Sequence, residues 1–295
     1  MTKQKMFFLL PYSRKLLLMF LLFFIGIIAT SILLQPITLL YPQNSRDGLL
    51  ISAIVQNIVM FVLPAIATSF FIYSQPINTF GFKKKVSIKI FFLIFIVMLL
   101  SVPALNFIIN WNAQVHLPDY LKDIEVIMRN MEDSAFETTK VMLNTSSFFG
   151  LLSGVLVIGV LTGFGEELFF RGTMQRVIAS NGMNPHVAIW LSAILFSILH
   201  FQFFGFIPRM LLGAFFGYLF FWTGSIWCSV FAHALNNSIV VVVSFLTNNG
   251  YINFEFDKIG PVDNGIPYLA LVSVIFTVST LYILKQYIKQ RNHIR

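Results

Sequence analysis

The stretch Gly165-Glu166-Glu167-Leu168-Phe169-Phe170-Arg171-Gly172 sets two carboxylates and a guanidinium inside a long apolar run. A charged side chain at the bilayer centre costs about 2.5–3.5 kcal/mol on insertion scales, so two adjacent acids there need partners or a task. Glu167 and Arg171 are four residues apart with the acid on the N-terminal side, the favourable order for an intrahelical pair. Glu166 points about 100° away around a 3.6-residue helix, which turns it toward a neighbouring element. One acid is thus neutralised within its own helix while the other faces a different environment.

Working outward, the whole chain reads as membrane-embedded. It has 295 residues, 57% hydrophobic and 11% charged, with mean hydropathy +0.80. An ordinary soluble domain is about 25% charged. Runs near the length of about 20 apolar residues that crosses the hydrocarbon lie at approximately 16–34, 49–73, 88–109, 148–170, 187–204, 208–222, 225–247 and 267–284. These runs are continuous, whereas barrel strands would be short and alternating. The first is too long for a signal-peptide core of about 7–15 residues and reads as an uncleaved span. The single cysteine, Cys228, excludes an intramolecular disulfide and any cysteine-rich metal site. The net charge of +8 does not point to nucleic acid, because the basic residues cluster beside apolar runs.

Those clusters set an orientation. Lys3, Lys5, Arg14 and Lys15 precede the first run; Lys83, Lys84, Lys85 and Lys89 sit between the second and third; Arg171 and Arg176 follow the fourth; Lys285, Lys289, Arg291 and Arg295 follow the last. With eight alternating spans, all fall on one side, and the 110–147 and 248–266 loops, richer in acids, fall on the other. The basic-inside rule then puts both termini in the cytoplasm. Leu117, Leu121, Ile124, Val126, Ile127 and Met131 recur at roughly helical spacing within the long loop, so an amphipathic helix is expected on the outer surface. The expected fold is all-α: one integral-membrane domain over 1–295, a polytopic bundle of about eight spans in the cell membrane, with the lipid bilayer as its partner.

Two further polar faces lie within spans. Phe196 and His200 are four apart, as are His233 and Asn237, with Asn236 a rival to Asn237. Burying these faces together is less costly than showing them to lipid. Gly213 and Gly217 form a small-xxx-small pair that could aid close approach. His116, His186 and His293 lie in loops or the tail and read as solvated, and Arg209 reads as a headgroup anchor near a span end. The depths conflict: Glu166 sits near the inner end of the fourth run, yet His200 lies about 20 Å into the fifth at 1.5 Å per residue. A fourth helix continuing beyond residue 170 to a stop at Asn181-Gly182 would remove the conflict.

The ordered set Glu166-Glu167-x-x-x-Arg171, Phe196-x-x-x-His200 and His233-x-x-x-Asn237 resembles the three-motif pattern of the CPBP family, the CAAX-processing endopeptidases and bacteriocin-processing or immunity proteins also called Abi. The resemblance is concentrated in a core of about 145–245. It implies an intramembrane endopeptidase with a cytoplasm-facing cavity, acting on a peptide or membrane-protein substrate, with a role in bacteriocin maturation or self-immunity. Glu166 would activate water with His200, His233 and Asn237 would stabilise the oxyanion, and Glu167 would hold the motif with Arg171 and Phe196 in support. The family is also described as metalloproteases. Zinc at Glu166, His200 and His233 is one expectation and metal-free Glu-His chemistry the other. A non-catalytic immunity or regulatory partner using the same cavity, and a proton relay through the same groups, are the alternative functions.

Overall fold

The computed structural model describes residues 10–42, 44–253, 255–262 and 265–293. Lys3, Lys5, Asp263 and Arg295, used in the charge reading, and the side chain of His293 lie outside these. Every regular element among the described residues is helical. The main ones are α1 (Tyr12–Leu40), α2 (Arg46–Ile72), α3 (Ile88–Ala113), α4 (Lys122–Leu143), α5 (Phe148–Ala179), α6 (Pro185–Ile198), α7 (Phe206–Thr223), α8 (Ile226–Asn248) and α9 (Tyr268–His293). Local signals set several starts. Ser45 Oγ and Ser147 Oγ each accept an N–H in the first turn of α2 and α5, from Gly48 and Gly150, both at 3.0 Å. Asn184 Oδ1 caps α6, which opens on Pro185.

Seven of the described helices are long and apolar enough to cross a membrane, the seventh-numbered counted from a 3-10 turn at Phe203. The protein is therefore a multi-pass integral membrane protein. The fifth expected span, 187–204, is not such a helix. It is realised as α6, 14 residues long and so about 21 Å at 1.5 Å per residue, short of a hydrocarbon core of about 30 Å. The chain leaves the helix because Phe201 adopts φ 53°, a left-handed conformation that stops propagation. Hydropathy alone could not show this, since Phe201, Phe203, Phe204 and Phe206 keep the stretch apolar on average despite His200 and Gln202.

Contacts sort the helix ends into two faces. On one, Tyr12 Oη donates to Ile178 O, Trp227 Nε1 donates to Phe82 O, Lys89 lies over Tyr287, and Lys285 over Trp222. This face gathers the start of α1, the 73–87 connection, the end of α5, the α7–α8 turn and the end of α9. It carries Arg14, Lys15, Lys83 to Lys85, Lys89, Arg176 and the Lys285–Arg291 cations, and none of the described Asp or Glu residues. On the opposite face, Arg46 donates to Met142 O and Gly150 O, and Asn249 donates to Thr145 O. The acids of α4 and of the α8–α9 connection lie on that side. An amphipathic helix does form in the long loop, as α4.

Two apolar clusters pack the bundle. Phe23 of α1 stacks on Phe169 at 4.6 Å, and Phe61 of α2 meets Phe169 and Phe170. On the other flank Ile94, Phe216, Leu219, Cys228 and Leu284 join α3, α7, α8 and α9. The Cys228 thiol is free and buried there, which fits a packing role. α8, which carries His233, is seated by a turn-on-turn contact. Gly81 (φ 69°) lies against Gly224 (φ 64°), so closely that a Cβ on Gly81 would sit 1.9 Å from the Gly224 carbonyl oxygen. Ile226 N donates to Phe80 O at 3.3 Å beside it.

The start of α4 is clamped by Glu125. Its carboxylate accepts from Leu117 N at 2.7 Å and from Arg129 Nε at 2.8 Å, with His116 Nδ1 at 2.9 Å. The Leu117 N–H, then Arg129, pull its pKa from 4.5 down to about 2.

Two outcomes are expected. Gly81→Ala meets both a backbone clash and an unfavourable φ, so it should destabilise the protein by at least about 1–3 kcal/mol; an unchanged thermal midpoint in detergent would contradict this packing. A carboxylate held below its ordinary pKa contributes stability that is complete above about 4.5 and lost as pH falls toward 2. Hydrogen-exchange protection factors over 117–125, taken relative to the intrinsic rate at each pH, should therefore match at pH 7 and 5 and fall at pH 3, whereas Glu125→Gln should show low protection already at pH 7.

Candidate active site

α5 continues past residue 170 to Ala179, and the chain then turns through Gly182 at φ 75°. This brings the acids and His200 to one depth. Glu166 lies 13 residues before the end of α5, about 20 Å from the basic face, and His200 15 residues after the start of α6, about 22 Å, at 1.5 Å per residue. The helix is not uniform. Phe170–Gln175 is wound as a π-helix, a geometry that recurs at functional sites.

Glu167 is fully buried. Its Oε1 accepts from Arg171 Nη1 at 2.8 Å and from His233 Nδ1 at 2.8 Å. Arg171, also fully buried, donates from Nη2 to Gly213 O at 2.8 Å, and its guanidinium lies 4.7 Å from the Phe196 ring centroid and 5.5 Å from that of Phe216. One turn on, Gln175 Nε2 donates to Gly217 O at 3.2 Å. The glycine pair of α7 thus admits two side chains of α5. A Cβ on Gly213 would come within 3.2 Å of Arg171 Nη2 and 3.1 Å of the Phe196 ring.

Glu166 is oriented differently. It is 7% exposed, and its Oε2 has no hydrogen-bond partner. His233 Nε2 lies 3.7 Å from that oxygen. Since Nδ1 of His233 donates to Glu167, the neutral ring presents Nε2 as an acceptor toward Glu166. The ring is fixed by stacking on Phe216 at 5.0 Å. His200 is held in the same manner: Nδ1 donates to Phe196 O at 2.7 Å and the ring sits against the Phe196 edge, leaving Nε2 available.

Glu166 and His200 both line two cavities that flank α4, of about 680 and 810 Å³. His233, Asn236 and Asn237 line the first as well. The Asn237 amide donates to Ile158 O at 3.1 Å, and Asn236 Nδ2 to Asn237 Oδ1 at 3.3 Å. Four of the expected residues, Glu166, His200, His233 and Asn237, therefore share one space. Glu167 does not line it and acts on His233 from behind, with Arg171 and Phe196 around it. Two residues of the cavity wall, Arg209 and Gln202, and one behind it, Asn112, differ from or add to the sequence reading. Arg209 lines it and donates to Gln202 O and Oε1 at 3.1 and 2.5 Å, rather than anchoring headgroups. Gln202 lines both cavities. Asn112 accepts from Ile207 N at 2.9 Å and donates to Phe203 O at 3.3 Å, pinning the loop after His200. A cation without a nearby acid in an apolar run was the available signal for Arg209; the others carried none.

The zinc expectation at Glu166, His200 and His233 is not supported. Among the described residues no three His, Cys, Asp or Glu side chains are grouped so as to hold a metal ion. His233 Nε2 lies 3.7 Å from Glu166 Oε2, and the Nδ1 hydrogen bonds that fix the two rings leave each Nε2 free.

The comparisons add a family. Residues 129–239 match the family model described as Type II CAAX prenyl endopeptidase Rce1-like. The match covers under half of the chain and is to that family model alone. The matched segment runs from within α4 through Ile239 of α8 and holds all the residues above except Asn112. No curated protein and no solved structure matches the chain.

Removing one member of a buried pair leaves the other charge uncompensated, which costs about 3–5 kcal/mol. Arg171→Ala should therefore lower the unfolding midpoint strongly, and Gly213→Ala by an overpacking cost of about 1–3 kcal/mol. Midpoints equal to wild type for both would show that the Glu167–Arg171–Gly213 contacts do not hold the site.

Proposed function

We propose that the protein is an intramembrane endopeptidase in which Glu166 activates water for attack on a peptide carbonyl. The observation that carries this is the unpartnered Oε2 of Glu166, buried yet lining a cavity shared with His200. A water seated between Glu166 and His200 Nε2 would be a nucleophile with a proton acceptor beside it. Its oxygen attacks the carbonyl carbon while the proton passes to the Glu166 carboxylate. The C–N bond then breaks, and the proton is delivered to the leaving amine. Charge developing on the carbonyl oxygen needs donors in a water-poor site; Asn237, with Asn236 beside it, supplies amide N–H groups, and His233 can donate from Nε2 when protonated. Glu167 orients His233 through Oε1 and balances it.

The match of residues 129–239 to the Type II CAAX prenyl endopeptidase Rce1-like model supports a membrane enzyme of this class. The substrate class is a peptide or a segment of a membrane protein, consistent with bacteriocin maturation or self-immunity. Both described chain ends share the basic face, which by the Lys/Arg rule is cytoplasmic.

Glu166→Gln keeps shape and hydrogen-bonding capacity but removes the base. It and His200→Ala should insert and melt like wild type while losing cleavage by roughly 10²–10⁴-fold, the range typical of an acid–base residue. The measurement is comparative membrane peptidomics of wild type and Glu166→Gln. Identical peptide populations, with the biological phenotype retained by Glu166→Gln, would instead support a non-catalytic immunity or regulatory protein.

A further inference from the structure

The resemblance implied a cavity facing the cytoplasm; the geometry points to the opposite side. Both cavities lie between the catalytic candidates and α4. The first is bounded by Ile109 and Ala113 at the end of α3 and by Arg129, Glu132 and Phe136 of α4; the second by Ile127, Met131 and Ala135 of α4. None of the residues lining either cavity comes from the 73–87 connection, the 180–186 turn or the α7–α8 turn. Those are the segments that form the basic face.

From that face the site is closed. Below Glu166 the interior is filled by Phe169, Phe170, Met174, Val177 and Phe80, all fully buried, and by the Glu167–Arg171–Gly213 contacts. On the other side α4 is attached at the cavity mouth by polar links rather than by a packed core. Glu132 Oε2 accepts from Phe204 N at 2.9 Å, and the Arg129 guanidinium lies 3.9 Å from the Phe204 ring centroid. Ile127, Met131 and Phe136 remain 40–64% exposed, an apolar lining without a partner in the chain. Cations concentrate on one face and the described acids outside the site on the other, so the rule that orients the chain puts α4 and both mouths outside the cytoplasm.

We infer that the Glu166–His200 site is reached from the outer side of the membrane, past α4, and that its substrate is a polypeptide segment lying outside the cytoplasm. The assignment of a polypeptide rests on the peptidase reading; the side of access does not. Openings on both flanks of α4, each containing Glu166 and His200, suit an extended chain lying across the acid, with apolar side chains against Phe136 on one flank and Met131 on the other.

The test uses single cysteines in the full chain with Cys228→Ser. Thr139→Cys lines both cavities, Asn236→Cys lines the first, and Lys84→Cys reports the basic face. A membrane-impermeant maleimide applied to right-side-out vesicles should label Thr139→Cys and Asn236→Cys several-fold faster than Lys84→Cys. In inverted vesicles the order should reverse. Faster labelling of the cavity positions in inverted vesicles would overturn the inference whatever the chemistry. Because Thr139→Cys tests the mouth and Asn236→Cys the interior, loss of folding in one leaves the other to decide. Outer-side labelling with no peptide difference between wild type and Glu166→Gln would leave the access route standing and remove the peptidase reading. Where cleavage is found, the bonds spared in Glu166→Gln should map to segments outside the cytoplasm, and sites confined to cytoplasmic segments would also overturn the inference.

Discussion

The Glu167 carboxylate is the constraint on which the rest of the site depends. It is fully buried and gathers α5, α7 and α8 around a single oxygen, through Arg171 and its donation to Gly213, and through His233. A buried ion pair is weak evidence for stability, because desolvation of both charges offsets much of their attraction. Its value here is registry. The guanidinium reaches a main-chain carbonyl only where α7 has no side chain, and His233 reaches Glu167 only at one rotation of α8. An apolar core would allow these helices to slide; a carboxylate oxygen shared by two fixed donors does not.

That arrangement separates two adjacent acids into different roles. Glu167 is fully buried, accepts through Oε1 from Arg171 and His233 and lines no part of the cavity, so it cannot approach a substrate. Glu166, one helical step away, is turned into the cavity with Oε2 unpartnered. The surrounding fold keeps this costly arrangement in place. Asn57 of α2 donates to Thr162 O at 3.3 Å, and Gly165 faces Asn57 so closely that a Cβ would lie 2.3 Å from its Oδ1. Close approach of α2 on this side and of α7 on the other fixes α5 on either flank of the pair. The loop bearing His200 is likewise tied down, by Asn112 of α3 and Glu132 of α4. Groups outside the matched motifs therefore position the groups within them.

Helical periodicity explains why so much of the site could be read in one dimension. Glu167 and Arg171, Phe196 and His200, and His233 and Asn237 are i,i+4 pairs, and in a membrane an isolated polar face has few places to go except against another. Convergence of Glu166, His200, His233 and Asn237 followed from that economy. The errors arose where the controlling fact was not local. Arg209 looked like a span-end anchor because its partner, Gln202, sits in a loop whose course no periodicity reveals. α6 looked like a span because Phe201 is apolar, and hydropathy does not register a left-handed φ.

From the sequence alone came the all-helical membrane class, the clustering of positive charge at alternate span ends and the identity of the polar positions, since each is a property of composition or of spacing along one helix. The tertiary structure alone assigned the partners: which carboxylate meets both Arg171 and His233, which nitrogen of each histidine is free, and which face the cavity opens on. Those depend on how separate helices are rotated and how deeply they sit against one another, and rotation and depth are set by contacts between residues far apart in the chain, such as Arg171 with Gly213 and Glu132 with Phe204.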